Sequence, residues 1–286
     1  QELVDRLLDA LHRKMKLKSK GVKSGFPRFK SIDRMRSLHY PQFGFELGKK
    51  LEVTPFGELS IVKHRRIAGK INALTLKREA TGKWFACFAV EQEKPLPKIN
   101  NGGEVGLDLG LMNLATLSDG AIITNPRHVK KHEDRLARTQ RDLSMKKKGS
   151  KNRKKAKMKV ARVHEKVSNA RQDFLHKTST QLVNDYSFIA LEKLASQEMA
   201  EQRFGKQIND AGWNMFANML AYKAEEAGCR IMFVDPENTT KECSSCGNLT
   251  DKELWERMHN CPFCGLSIDR DLNAARVILK RATVGT

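Results

Sequence analysis

Four cysteines near the C-terminus constrain the fold of this chain more than any other sequence feature. They form two Cys-x-x-Cys pairs, Cys243/Cys246 and Cys261/Cys264, separated by fourteen residues (247–260), and a glycine follows each pair directly. This spacing is typical of a tetrahedral four-thiolate zinc site, and glycine permits the positive φ that such turns often need. Four unrelated cysteines or two disulfides are the alternatives. We expect a structural zinc ribbon, because four thiolates leave the ion no open coordination position.

A large positive charge narrows the range of partners. The 286 residues include 53 Lys and Arg against 33 Asp and Glu, which gives a formal net charge of +20 and a pI near 9.8. Nucleic acid is the commonest polyanion that such a field attracts, with an anionic membrane surface as the competitor. No apolar run approaches the ~20 residues of a membrane-spanning helix, and no signal-peptide pattern is present. We therefore expect a cytoplasmic, nucleoid-associated protein whose paired, reduced cysteines bind metal.

The first hundred residues predict one helix followed by a small β-barrel or sandwich. Leucines recur at helical spacing from residue 3 to residue 11, and position 1 is Gln within this pattern, so the chain is expected to lack its natural beginning. Short β-rich segments separated by Gly or Pro follow, at 43–45, 50–54, 59–62, 70–77 and 84–90. A linker at 95–103 leads into a second region.

The second region alternates strands and helices. Its pattern predicts a β-meander over 105–124, a long helical stretch over 128–185 broken once near Gly149 and Ser150, and buried strands at 187–192 and 230–235. Between the last two strands, a helix with apolar residues at 3.6 spacing begins near Trp213, and Asp210 is a candidate N-cap for it.

Carboxylates occupy positions that suit a metal-dependent nuclease. Asp108 lies inside an apolar strand, Glu192 closes another, and Asp271 falls in the first turn of the last helix, two residues after Asp269. A charge at such positions is costly unless it is paired or binds a metal, and hard oxygen ligands suit Mg²⁺ or Mn²⁺. Two such ions about 4 Å apart can activate water and stabilise the leaving oxygen in phosphodiester hydrolysis.

Each acid also has a simpler explanation. Asp108 could end its strand at a turn, Glu192 could be a solvated strand end beside Lys193, and Asp269 and Asp271 could cap a helix. Taken together, the meander, helix and strand between the acids follow the order of an RNase H-like sheet, which favours the metal site.

A basic run at the predicted helix break is the candidate nucleic-acid contact. Its alternative is a solvated helix face or a flexible tail, but it lies between two acidic motifs and no acidic block compensates it. Phosphate contacts of this kind supply affinity without sequence information. The residues are Lys146, Lys147, Lys148, Lys151, Arg153, Lys154 and Lys155.

These motifs together resemble the TnpB family, the accessory "transposase" of small insertion sequences, which is related to compact type V CRISPR effectors. The resemblance is carried by Val-Gly-Leu-Asp108-Leu-Gly, Ile-Ala-Leu-Glu192-Lys-Leu, the two cysteine pairs and Asp269-Arg-Asp271-Leu-Asn273, and it extends from about residue 25 onward. It implies a RuvC-like nuclease that is guided by an RNA from the transposon end and cuts target DNA. In that family pattern Asp108, Glu192 and Asp271 are the catalytic acids, Asp269 is the less favoured third acid, and Arg270 and Asn273 support the site.

The resemblance also implies a domain organisation. Residues 1–37 would be the remnant of a helical recognition lobe, 38–100 a wedge-like β-barrel, 101–237 the RuvC-like nuclease with its helical insertion 128–185, 238–266 the zinc ribbon, and 267–286 the third RuvC motif. Relative to the family pattern, the first strand of the barrel is missing. Lys193 occupies the position after Glu192 at which the family usually has an acid. A catalytically idle RNA-guided repressor and a strand-transferring transposase are the alternatives, and the oligomeric state stays open.

Overall fold

The chain forms two compact units, Gln1–Lys94 and Pro95–Thr286. The computed structural model describes residues 2–28, 34–93, 96, 98–193, 205–253 and 255–284. Within these ranges no helix has the length and apolar character needed to cross a bilayer. The structural boundary thus falls at the start of the predicted linker, a few residues before the predicted domain boundary at 100.

In its described residues, the first unit contains one helix and two three-stranded antiparallel sheets. Helix α1 spans Glu2–Ser19. One sheet has the order β1-β5-β6 and the other β2-β3-β4, and Leu51 and Val53 of one pack with Leu74 and Leu76 of the other in a buried core. The strands are β1 (Ser37–Tyr40), β2 (Phe45–Leu47), β3 (Leu51–Val53), β4 (Gly57–Leu59), β5 (Lys70–Arg78) and β6 (Trp84–Glu91).

Two predicted strand boundaries in this unit are wrong. The strand predicted at 43–45 begins only at Phe45, because Gly44 has a φ of 85°, outside the extended region. The strand predicted at 59–62 ends at Leu59, and Ile61 packs on the core without a place in either sheet. Strand β1 was not predicted as a separate element.

A five-stranded mixed sheet is the framework of the second unit. Its strands are β7 (Gly103–Leu109), β8 (Asn113–Leu117), β9 (Ile122–Thr124), β10 (Tyr186–Glu192) and β11 (Arg230–Val234), in the order β11-β10-β7-β8-β9. Strands β7, β8 and β9 form the antiparallel meander, and β10 is parallel to both of its neighbours. Since side chains alternate along a strand, the sheet has two distinct faces.

Helices cover both faces of this sheet. Val105, Leu107 and Ile189 pack on one face against α4 and α6, and Phe188 and Ala190 pack on the other against α7. The helices are α2 (His128–Lys131), α3 (Glu133–Ser144), α4 (Lys151–Asp185), α5 (Gly205–Ala211), α6 (Trp213–Ala227) and α7 (Arg270–Val284).

The helices of the second unit differ from their prediction in two respects. The insertion 128–185 has a second break, at His132 between α2 and α3, in addition to the one at 145–150. Asp210 lies inside α5 rather than capping α6, which begins after Gly212 in the left-handed region. The Asp210 carboxylate instead accepts hydrogen bonds from the backbone N–H of Val129 at 3.0 and 3.1 Å and from Arg171 at 3.1 Å. It therefore joins α2 and α4 to α5.

A small hairpin connects the cysteine pairs to the last helix. Strand β12 (Met258–Asn260) pairs antiparallel with β13 (Ser267–Asp269), and the second cysteine pair lies in the turn between them. Because β13 ends at Asp269, this hairpin extends past residue 266. The first turn of α7 follows directly, so the ribbon and α7 are positioned together.

Candidate functional site

Asp108 and Glu192 lie at the same level on neighbouring strands. The parallel register of β7 and β10 pairs the residues that directly precede the two acids, and adjacent strands are about 4.8 Å apart. Asp108 is in phase with Gly106, and Glu192 with Ala190, which packs toward α7. Both carboxylates therefore extend from the carboxyl ends of their strands on the α7 side of the sheet.

Gly106 allows α7 to lie directly on strand β7. A Cβ at this position would be 2.1 Å from the carbonyl oxygen of Ala275 and 2.8 Å from the backbone nitrogen of Leu279. Asp271 precedes Ala275 by one helical turn, and Asp108 follows Gly106 by two strand residues. The close contact thus places the first turn of α7 beside the carboxyl end of β7.

The charges of three other acids act on the Asp108 carboxyl group. The pKa of Asp108 is raised to about 8, first by burial and then by the charges of Glu192, Asp271 and, more weakly, Asp269, while Arg270 opposes the rise. The carboxylate oxygens do not form a tight cluster: in the described part of the chain only the four cysteines have ligand atoms that all lie within 4.8 Å of one another. Neighbouring carboxylates that repel one another are a donor set that suits a divalent cation.

Glu192 is held by contacts from the segment after β11. It is 9% exposed, and burial raises its pKa. Two contacts oppose that rise, a hydrogen bond that the Thr239 hydroxyl donates to Oε1 and the charge of Arg281. Arg281 forms a 2.6 Å ion pair with Glu242. These two contacts reduce the rise without cancelling it, so the pKa of Glu192 stays above its ordinary value.

Asp271 and Asp269 have different partners. Asp271 lies near two guanidinium groups, with Arg257 Nη1 3.7 Å from Oδ2 and Arg270 Nε 3.3 Å from Oδ1. Asp269 Oδ1 accepts hydrogen bonds from the backbone N–H groups of Asp271 at 2.9 Å and Leu272 at 3.0 Å. Asp269 is therefore the N-cap of α7.

The four cysteine sulfurs form a compact cluster that could bind a metal such as zinc. The Sγ atoms of Cys243 and Cys264 are 3.6 Å apart, as are those of Cys246 and Cys261. A tetrahedral zinc site with Zn–S bonds near 2.3 Å has sulfur–sulfur edges of about 3.8 Å, whereas a disulfide bond is near 2.05 Å. The glycines after the two pairs have φ values of 78° and 75°, so both turns use the same left-handed conformation. The donor set and its spacing fit a tetrahedral ion.

Asn273 joins this cluster to the acidic site. Its side chain is fully buried, its Nδ2 donates to the carbonyl oxygen of Glu242 at 2.7 Å, and its Oδ1 accepts from the backbone N–H of Ser244 at 2.9 Å. Ser244 lies within the first cysteine pair, and Asn273 lies two residues after Asp271. The first turn of α7 is thereby fixed to the turn that carries the first cysteine pair.

Comparison with known proteins assigns the family. A family model described as "Probable transposase" (OrfB_IS605) matches residues 87–203, and one described as "Cas12f1-like, TNB domain" matches residues 213–278. A protein of Escherichia coli K12, named "Putative RNA-guided DNA endonuclease InsQ", is 31% identical over 277 residues, which cover 90% of this chain and 68% of the relative. The chain belongs to the TnpB family.

A second relative and a solved structure are also similar to this TnpB-family chain. A "Putative RNA-guided DNA endonuclease" of Streptomyces pristinaespiralis is 37% identical over 266 residues, 90% of this chain and 65% of the relative. The chain thus spans about two thirds of the length of these two relatives. A solved structure, described as a Cas12f1–sgRNA–target DNA complex, has a TM-score of 0.52 at 20% identity over 73% of this chain and 45% of that one, which shows a shared α/β fold.

The predicted basic residues of this TnpB-family chain do not all have free cationic groups. Lys146 forms a 3.0 Å ion pair with Asp142. Arg153 Nη1 donates to the carbonyl oxygens of Leu143 and Lys146, both at 2.9 Å, and so caps the end of α3. The remaining five predicted residues are exposed: Lys147, Lys148, Lys151, Lys154 and Lys155.

Several residues around the acids were not assigned a role from the sequence. Thr239 precedes the first cysteine pair, Arg257 precedes the second, and Arg281 lies in the last helix. Their roles depend on contacts across the fold, so spacing along the chain carried no signal for them. For Gly106 a sequence signal was available, because a glycine within an apolar strand is a sign of close backbone approach.

Proposed function

We propose that this chain is the catalytic part of an RNA-guided, magnesium-dependent endodeoxyribonuclease of a mobile element. The observation that carries the proposal is the placement of Asp108, Glu192 and Asp271 on one side of the sheet, where the charges of the other two acids raise the pKa of Asp108. The strand order β11-β10-β7-β8-β9, with an antiparallel meander and a parallel fourth strand, supports an RNase H-like, RuvC-type domain.

The donor chemistry supports Mg²⁺ or Mn²⁺ at the acids and structural Zn²⁺ at the cysteines. When bound, the divalent ions supply Lewis acidity for the attack of water on a phosphodiester. Asp108 would lose its proton on binding them, because its pKa is raised to about 8 in their absence. Thr239 keeps the Glu192 carboxylate oriented, and Arg257 and Arg270 orient Asp271. The four thiolates hold the ribbon that positions α7.

Guide RNA and target DNA are the proposed partners. The net charge of +20, the five exposed lysines of the basic run and the names of the relatives support this assignment. We place the protein at the nucleoid, where its DNA substrate is found. We further propose that the two sheets of the first unit belong to a wedge-like β-barrel and that α1 is part of a recognition lobe.

The first test compares acid-to-amide variants in guided cleavage of DNA. We expect Asp108→Asn, Glu192→Gln and Asp271→Asn each to lower the cleavage rate by about 10³-fold or more, since each removes a ligand charge while guided binding persists. Asp269→Asn is the matched control, because Asn caps a helix as well as Asp does. An Asp108→Asn protein that cuts at the normal rate in Mg²⁺ would refute the catalytic assignment.

Ribonuclease treatment separates the remaining alternatives. An RNA-guided nuclease loses its activity when the co-purified RNA is digested, whereas a strand-transferring transposase keeps its activity. A repressor that binds without cutting gains nothing from coupled carboxylates beside phosphates. Guided binding with no cleavage by the unmodified protein would favour the repressor.

A further inference from the structure

The exposed side of α4 carries a line of cations that continues beyond the predicted basic run. At 3.6 residues per turn, the members of this line fall within a sector of about 80° and span about 22 Å along the helix axis. All of them are exposed. We call this line the basic stripe, and it consists of Lys151, Lys155, Lys159, Arg162 and Lys166.

Within the described part of the chain, the basic stripe has no ion-pair partner. Among the described residues none of its members forms an ion pair with a carboxylate, whereas Lys177 of the same helix pairs with Asp173 at 2.7 Å. Successive members are three or four residues apart, a spacing at which like charges destabilise a helix. An anionic partner would remove this unfavourable interaction.

We propose that the basic stripe binds the phosphate backbone of a nucleic-acid duplex. A helix presents its charges on a line at fixed spacing, which suits a stiff partner that is recognised by shape and phosphates. Proteins that bind single strands place aromatic side chains among their cations, and residues 151–173 contain no Phe, Tyr or Trp. The inference rests on the proposed function, since a guided nuclease must hold a duplex.

The test measures the affinity of guide-free protein for short duplexes of unrelated sequence, without added Mg²⁺. The stripe variant carries Lys155→Gln, Lys159→Gln and Arg162→Gln. The control carries Lys131→Gln, Lys177→Gln and Lys280→Gln, which remove the same charge from exposed positions on three helices. The probes are DNA, RNA and hybrid duplexes and a single strand of equal length.

We expect the stripe variant to bind all three duplexes about 10- to 100-fold more weakly at low salt. The slope of log affinity against log salt should fall by roughly 2 to 3, because each lost phosphate contact removes about 0.9. The control should change affinity by less than about threefold. Equal losses in the two variants, or a larger loss for the single strand than for the duplexes, would overturn the proposal.

Two controls separate this outcome from misfolding and from the nuclease proposal. Gln keeps helix propensity, so circular dichroism should show unchanged helix content, and removal of like charges should not lower the Tm. Guided cleavage of DNA by the unmodified protein is measured in parallel. If the stripe variant loses duplex binding and the unmodified protein shows no guided cleavage, the stripe proposal stands and the nuclease proposal fails. If the unmodified protein cleaves and the stripe variant binds duplexes normally, the nuclease proposal stands and the stripe proposal fails.

Discussion

At the residue scale, the charge state of Glu192 depends on a hydroxyl group from another part of the chain. Thr239 is 2% exposed and reaches Glu192 across 47 residues of sequence. Burial raises the pKa of Glu192, and the Thr239 hydrogen bond and the charge of Arg281 lower it. A carboxylate that binds a cation must be deprotonated, so these contacts favour metal binding near neutral pH.

Thr239→Val should therefore impair cleavage without changing any metal ligand. Loss of the hydroxyl raises the pKa of Glu192 further, so the acidic limb of the pH–rate profile should move to higher pH. The neutral-pH rate should fall by about 10- to 100-fold, as is usual when the partner of a metal ligand is removed. Thr239→Ser keeps the hydroxyl and serves as the control. A Val variant with an unchanged pH profile would show that the hydrogen bond has no role in the reaction.

Residue identity predicted the acids but not the groups around them. Asp108 and Glu192 stood out as candidates because charged residues in buried strands are uncommon. Asp271 stood out through the family pattern, since acids are common in the first turn of a helix. The sequence could not decide between a cap and a ligand for Asp269, because that distinction depends on backbone N–H groups whose directions are known only from the fold. Arg257 and Arg281 reach the site only through tertiary contacts.

At the element scale, hydrophobic periodicity predicted the long elements and failed at their ends. Apolar runs predicted β7, β10 and α6, where a large buried face determines the conformation. The ends depend on single backbone conformations instead, such as the positive φ of Gly44 before β2 and of Gly212 before α6. In both cases the signal available in the sequence was a glycine that interrupts the apolar pattern.

Gly106→Ala tests whether the contact of α7 with β7 positions the third acid. The new methyl group would overlap backbone atoms of Ala275 and Leu279, so α7 must shift. We expect a loss of about 1–3 kcal/mol in the free energy of unfolding and a larger loss of cleavage than of guided binding. Gly103→Ala is the matched control on the same strand, since its Cβ would meet nothing within 4 Å. Normal cleavage by Gly106→Ala would show that Asp271 is not placed by this contact.

At the scale of the whole molecule, the acidic site is a local exception in a strongly basic chain. The net charge of +20 attracts phosphates over long distances. In the proposed function, Asp108, Glu192 and Asp271 lie where a scissile phosphate would bind, and their negative charges would repel it. Divalent cations resolve this conflict, because they neutralise the carboxylates and attract the phosphate. Metal binding, substrate binding and stability should consequently be linked.

This linkage predicts how the stability of the metal-free protein depends on pH. The pKa of Asp108 is about 8 in the folded protein, against an ordinary value of 3.8 that applies to the unfolded chain. Between these two pH values the folded state therefore binds one more proton than the unfolded state. Its contribution to stability is present below pH 4 and decreases as the pH rises toward 8. Mg²⁺ should restore stability mainly at the upper end of this range, raising the Tm by a few degrees while protons are released.

Thermal unfolding at pH 6 and pH 8.5, with and without Mg²⁺, measures this linkage. The metal-free Asp108→Asn protein should be more stable than the unmodified protein at pH 8.5, because no buried charge forms. Its Tm should respond only weakly to Mg²⁺, while Asp269→Asn should respond as the unmodified protein does. Equal Mg²⁺ stabilisation of the Asp108→Asn and unmodified proteins would place the ion elsewhere, and the coupling of the acids would then have no part in metal binding.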